Sequence, residues 1–292
     1  NFGTGVMERF GLDADDLRAQ NPGLIYLSAS GLGRTGPESR KVAYGTLLQC
    51  YAGFAGLNAH PGATPRIGLA WLDPMCGLML ANVIAAAIWR RHKTGTGCRI
   101  DFSMLEAMLW TIGEPLLTTQ VAARPEPFGD ASEFIVPHGV FPAAGNDAWV
   151  GLAVGGDDQW QAMCRIIPAL TPYKDAGFTD RQGLRGEIDA IVTEWTSARS
   201  AADAATALNT AGVAASAVNT SRDLFESAHL NARGFWEQMD TGMLPGLPWR
   251  ASFGRETGPA PELGADTDTV LHDVLGLSKE EIASLHADGA FG

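Results

Sequence analysis

The chain has 292 residues, 46% hydrophobic and 18% charged, with 21 Lys+Arg against 33 Asp+Glu for a net charge of −12. That composition excludes a disordered or fibrous chain, and a length of about two average domains buries a large core without disulfide staples. No stretch is dense in Lys or Arg, which argues against a nucleic-acid partner, because neutralising phosphates needs clustered cations; the net charge does not by itself make the substrate a cation.

Asn1-Phe2-Gly3-Thr4-Gly5 reads as the interior of a loop, so a segment is expected ahead of it. Met7 to Ala19 reads as a short helix broken at Gly11. The turn signal Asn21-Pro22-Gly23 precedes a strand over 24–28, marked by its aromatic and β-branched content. A Gly-rich turn follows, then a helix-like apolar run from Tyr44 to Leu57. Asp73 is placed as an N-cap with Pro74 at the first helical position, and Met75 to Trp89 run through about four mostly apolar turns. Arg90-Arg91-His92-Lys93 put cations at the helix end, and Gly95 and Gly97 stop it. Arg99-Ile100-Asp101-Phe102 is a short strand, and Ser103-Met104-Leu105-Glu106 is a capping box for a helix to about Thr119. Strand, helix, strand, helix at this spacing predicts parallel βαβ units.

Residues 123–137, with Arg124-Pro125-Glu126-Pro127 and Phe128-Gly129-Asp130, read as a linker after a first domain at 1–122. Beyond it, 139–142 and 149–154 flank Gly145-Asn146-Asp147, a hairpin signal. Helices are expected at 157–167, 181–197 and 200–211, and a strand at 213–218, so 138–229 forms a smaller α/β domain. Residues 230–292 are Gly/Pro-rich until a terminal helix at about 278–287. There is no internal repeat.

The cysteines, Cys50, Cys76, Cys98 and Cys164, are too widely spaced for a metal cluster or a CxxC pair and suit a reducing cytoplasm. The histidines, His60, His92, His138, His229, His272 and His286, show neither HxH nor HExxH, so no metal is expected. His138 is either a solvated loop histidine or a site residue. The uncharged run from Val42 to Pro65 is interrupted by polar residues and glycines, and Pro74 to Trp89 falls short of the ~20 residues of a membrane span. No membrane segment or signal peptide is expected. Gly31-Leu32-Gly33-Arg34-Thr35-Gly36 matches GxGxxG, but Pro37 follows it and no acid lies between Glu38 and Asp73, so it fails as a dinucleotide fingerprint. It is a flexible loop over a site or a plain turn. Asp73 is either a simple helix start or a partly desolvated carboxylate, flanked by Trp71, Leu72 and Met75, fit to be a nucleophile or base.

Several motifs together carry a resemblance. They are Asn1-Phe2 with Gly5-Val6-Met7-Glu8-Arg9 and Gly11-Leu12; Asn21-Pro22 with Leu24-Ile25-Tyr26; and Ser30-Gly31 with Gly33 and Thr35-Gly36-Pro37. Tyr44, Gln49, Gly53, Asp73, Arg91, Lys93-Thr94-Gly95 and Gly97 continue the series. Pro137-His138-Gly139-Val140-Phe141-Pro142, Trp149, Ala153-Val154, Ala232-Arg233-Gly234-Phe235, Gly258-Pro259-Ala260-Pro261 and Leu263-Gly264 complete it. Nearly the whole chain in order thus resembles the family III CoA-transferases, which include formyl-CoA and carnitine CoA-transferases and are related to α-methylacyl-CoA racemases. It departs from that pattern at Thr4, where proline is usual, at Val42, where a lysine stands in formyl-CoA transferase while Lys41 lies one place off, and at Gly45, where an acid is frequent.

The resemblance implies an α/β fold, with a Rossmann-like large domain that lacks its first βα segment and a smaller α/β domain. It also implies that 230–292 returns to the large domain and that two chains interlock as a homodimer in the cytoplasm. Asp73 aligns with the catalytic aspartate, which attacks an acyl-CoA thioester to form an anhydride and then an aspartyl-CoA thioester. Asn1, Phe2, Arg9 and Tyr44 match CoA-contacting positions, with Gly31 and Gly33 of the loop as further candidates. Coenzyme A enters as a thioester substrate, with no permanently bound cofactor, and a carboxylic acid is the acceptor. The rival activity is a 2-methylacyl-CoA racemase, which uses a His where Tyr44 stands; a phenol with a reference pKa of about 10 is a poor base near neutral pH. A third reading is an inactive truncated paralogue that binds CoA weakly or only dimerises.

Overall fold

The computed structural model describes residues 1–60, 62–121, 129, 132–240, 242–254, 258 and 260–291. It is a mixed α/β chain with small sheets, divided into two compact units, Asn1–Val218 and Asn219–Gly292. Most of the expected linker, residues 123–128, 130 and 131, lies outside the described residues, as do Pro61 of the uncharged run and Pro259 of the late motif.

The first unit opens with two short helices, α1 (Val6–Arg9) and α2 (Ala14–Gln20). Gly11, with φ of 69°, separates them, and the Asp13 carboxylate caps α2 by accepting from the Asp15 N–H. Strand β1 (Ile25–Ser30) pairs in parallel with β2 (Cys98–Ser103), Ile25 opposite Cys98 and Ser30 opposite Ser103. Between them run α3 (Gly45–Tyr51), α4 (Phe54–Leu57) and α5 (Leu72–Thr94). The apolar run expected as one helix is broken between α3 and α4 at Gly53, whose φ of 84° no helix accepts. Gly95 ends α5 in the left-handed conformation, its N–H donating to the Arg91 carbonyl.

Ser103 caps α6 (Met104–Thr111) by accepting from the Glu106 N–H at 3.3 Å. The helix does not continue as expected, because Pro115 has no N–H to offer the Thr111 carbonyl; the chain restarts as α7 (Gly113–Val121). A five-member cluster of Leu48, Leu72, Cys76, Ala107 and Met108 joins α3, α5 and α6. Apart from these and the buried Ala87, most of α5 is open: Leu78 is 69% and Trp89 66% exposed. The helix is longer than the apolar run read from the residues. Its 23 residues continue past the apolar stretch into the cationic turn, and by length and composition alone it is able to cross a bilayer.

A second, larger core lies in the same unit. Strands β3 (His138–Pro142), β4 (Trp149–Ala153) and β5 (Ala214–Ala217) form an antiparallel sheet with β4 central. Helices α8 (Asp157–Ile166), α9 (Phe178–Gly183), α10 (Arg185–Ser197) and α11 (Ala201–Thr210) accompany it, with a 3-10 turn at Pro168–Tyr173. Trp160, Met163, Leu170, Ile188, Val192 and Leu208 fill this core.

The second unit holds α12 (Ser221–Phe225), α13 (Ala228–Ala232), the hairpin β6 (Trp236–Met239) and β7 (Gly242–Pro245), α14 (Thr267–Asp273) and α15 (Lys279–Ala287). Phe225 stacks on Trp236 at 4.6 Å, and His286 Nε2 lies 2.7 Å from Asp268 Oδ1 across the last two helices. Only α15 of these was expected; short capped helices carry too little apolar periodicity to be read.

Candidate active site

Asp73 is not the helix cap. The cap is Trp71, already in the right-handed region, and Asp73 is the second helical residue. Pro74 is tolerated one place further in, because the first N–H groups of a helix have no internal partner to lose. An acid in this turn complements the helix dipole. Leu72 and Cys76 anchor the turn in the core beneath it, and Trp71 packs on Phe54 with ring centroids 5.3 Å apart. Asp73 lies between these two anchors along the chain and is exposed, which does not fit the reading of a partly desolvated carboxylate. What the carboxylate does touch is Gly45. A Cβ built on that glycine would lie 2.7 Å from Asp73 Cγ and Oδ2 and nearer still to Oδ1.

Cys76, one turn on, is buried. Burial first, and the negative charge of Asp73 second, push its thiol above the ordinary range. It stays protonated near neutrality and does not compete as a nucleophile.

Gly45 opens α3 directly after Tyr44, whose side chain is 67% exposed. Gly31 lies against the same place: a Cβ there would come within 2.6 Å of the Ala43 Cβ. Gly33 is buried with φ of 83°, a conformation that favours glycine. The loop between them is held. The Gly31 carbonyl accepts from the Leu105 N–H at 2.9 Å, and the Arg34 N–H donates to both Asp101 carboxylate oxygens, at 3.0 and 3.1 Å. Gly31, Tyr44 and Asp73 are therefore linked through Ala43 and Gly45.

Asn1, Phe2 and Arg9 are exposed at the N-terminal end, and Arg9 pairs with no acid among the described residues. Their segment reaches the loop beyond Gly36 through Thr4, whose hydroxyl donates to the Ser39 carbonyl at 2.7 Å. Lys41 does not stand in for the lysine missing at Val42. Its ammonium is paired with Glu38, which also accepts from the Tyr51 hydroxyl. The hydrogen bonds from Lys41 and Tyr51, in that order, hold the Glu38 carboxyl below its usual range, while Glu38 raises both partners.

His138 begins β3, on the sheet of the other core. No group of three or more His, Cys, Asp or Glu that could hold a metal occurs among the described residues. From sequence alone Gly45 is only a departure from the family pattern and Gln49 only a motif match. Gln49 is wholly buried on α3, and its Nε2 donates to the Leu69 carbonyl at 3.0 Å. The available signal was a buried amide in a run otherwise apolar.

The family model described as CoA-transferase family III matches residues 1–267. Succinate–glutarate CoA-transferase of Agrobacterium fabrum is 28% identical over 94% of this chain and 71% of its own length. Acetyl-CoA:oxalate CoA-transferase of Acetobacter aceti is 31% identical over 86% of this chain and 66% of its own. The succinyl-CoA–L-malate CoA-transferase alpha subunit of Chloroflexus aurantiacus is 30% identical over 98% and 70%. Among solved structures, a CaiB/BaiF family protein from Brucella suis superposes with a TM-score of 0.83 at 27% identity, covering 94% of this chain and 74% of that one.

Proposed function

The chain belongs to CoA-transferase family III, and on that premise we propose that it moves CoA from an acyl-CoA donor to a carboxylic acid, with Asp73 as the nucleophile. The observation that carries the reading is the Asp73 carboxylate itself. It is exposed, fixed at the head of a long helix and seated against Gly45 beside Tyr44. An ionised carboxylate open to solvent on one side and rigidly backed on the other is suited to attack a thioester.

An Asp73 oxygen attacks the acyl carbon, the C–S bond breaks, and CoA leaves as thiolate from a mixed anhydride. The thiolate attacks Asp73 Cγ, releasing the donor acid and leaving an aspartyl-CoA thioester. The acceptor carboxylate attacks the same carbon and expels the thiolate, which then attacks the acceptor's acyl carbon and frees Asp73. Atoms and charge balance at each step, and no redox partner or metal takes part. Arg9, exposed and paired with no acid among the described residues, is read as a phosphate contact of CoA, with Asn1, Phe2, Tyr44 and the backbone at Gly31 and Gly33 along the rest of the ligand. The relatives' names pair CoA with small dicarboxylic acids, which supports a screen of acceptors starting from succinate, oxalate and malate.

The same reading has two copies interlocking as a homodimer in the cytoplasm, supported by the open apolar flank of α5 and by four free thiols. Asp73→Asn is expected to abolish acyl exchange while CoA affinity stays within about twofold of wild type. Intact mass after mixing with an acyl-CoA should show a CoA adduct on the wild type alone. Near wild-type turnover in a freshly prepared, undeamidated Asn variant would refute the assignment.

A further inference from the structure

Two residues of α3, one helical turn apart, bear on Asp73, one directly and one through the turn that leads into it. The first is Gly45. Its φ does not lie in the left-handed region, so the backbone does not require glycine there, and glycine weakens a helix. Side-chain space is what requires it. Real Cβ atoms essentially never come within 3.0 Å of a neighbour, and one at this position would lie inside that limit of Cγ and both carboxylate oxygens of Asp73. The second point is Gln49, at i+4 on the same helix. Its Nε2 holds the Leu69 carbonyl, which also accepts from the Trp71 N–H at 2.8 Å in the turn that leads into Asp73. The other half of this wholly buried amide, Oε1, has no partner among the described residues. A residue kept for stability alone would be apolar here, because a buried polar atom left unpaired is destabilising.

We propose that Gly45 and Gln49 are positioning residues for the nucleophile: Gly45 is the floor on which the carboxylate rests, and Gln49 sets the height of the turn that carries it. The carboxylate is then backed on one side by helix backbone, and the thioester approaches from the solvent side. This rests on Asp73 as the nucleophile, but the seat is testable without that reading.

The experiment is a double-mutant cycle on thermal stability together with steady-state kinetics of the full chain. Gly45→Ala should lower the Tm of the wild type by several degrees. In an Asp73→Ala background the same change should be neutral or raise the Tm, because the colliding carboxylate is gone and alanine favours the helix. Equal destabilisation in both backgrounds overturns the floor. For catalysis, Gly45→Ala and Gln49→Met should each lower kcat by about tenfold or more while KM for the acyl-CoA stays within about twofold. Either variant at wild-type kcat, with the CoA adduct still forming on Asp73, overturns the positioning role. An absent adduct on the wild type would instead refute Asp73 as nucleophile, leaving the thermal cycle to judge the seat.

Discussion

The cysteine side chains differ sharply in what solvent can reach. Of the four free cysteines, Cys50 is exposed, Cys98 half-buried, and Cys76 and Cys164 buried. Burial pushes the Cys164 thiol up to about 11, with Arg181 and Arg165 pulling weakly the other way. Only the thiolate reacts with an alkylating reagent, so both buried thiols are doubly protected, by access and by protonation. Iodoacetamide near pH 8 should therefore modify Cys50 well before Cys76 or Cys164, as peptide mapping over a time course would show. Cys76 labelling as fast as Cys50 would mean that the head of α5 opens freely, which the anchoring by Leu72 does not allow.

At the level of elements, the β1–β2 pair is governed by how closely the chain returns after α5. Gly97 is buried and its N–H donates to the Pro22 carbonyl at 2.8 Å; a Cβ on it would overlap the Leu24 carbonyl. Gly95 has open space around it and only its φ of 72° to satisfy. Gly95→Ala should cost about 1–2 kcal/mol from left-handed strain. Gly97→Ala should cost more, about 3 kcal/mol, because backbone has to move. Urea melts of the two variants measure the difference, and the reverse order would contradict the packing. Single ends with explicit punctuation were readable from the residues: the Ser103 cap, the glycine stop of α5, and the hairpin turn at Gly145-Asn146-Asp147. Breaks inside the expected helices, at Gly53, Gly113–Pro115 and Leu184, were not: apolar content continues across the first two, and the third falls in a polar stretch with no proline to mark it. Asp73 was reachable because a motif series leads to it. Its contact with Gly45 was not, because local patterning says nothing about which glycine a distant side chain will lie on.

On the scale of the whole molecule, one unit carries two cores of unequal size. The smaller, beneath Asp73, leaves much of α5 bare. A bare apolar helix on a chain of net charge −12 sets apolar burial against mutual repulsion. Sedimentation equilibrium at micromolar concentration should give twice the chain mass for the proposed homodimer, and added salt, which screens the repulsion, should not dissociate it. A salt-independent monomer would contradict that assembly. The turn at Gly31–Gly36 bears on timing rather than on assembly. Its glycines give it the composition of a hinge, yet its carbonyl and amide are tied to Leu105 and Asp101. Mechanically it is a bracket, and a bracket adds no opening stroke to a catalytic cycle. Whichever step sets the pace of turnover, unlatching this turn would first have to break a hydrogen bond to a carboxylate that the glycines do nothing to weaken.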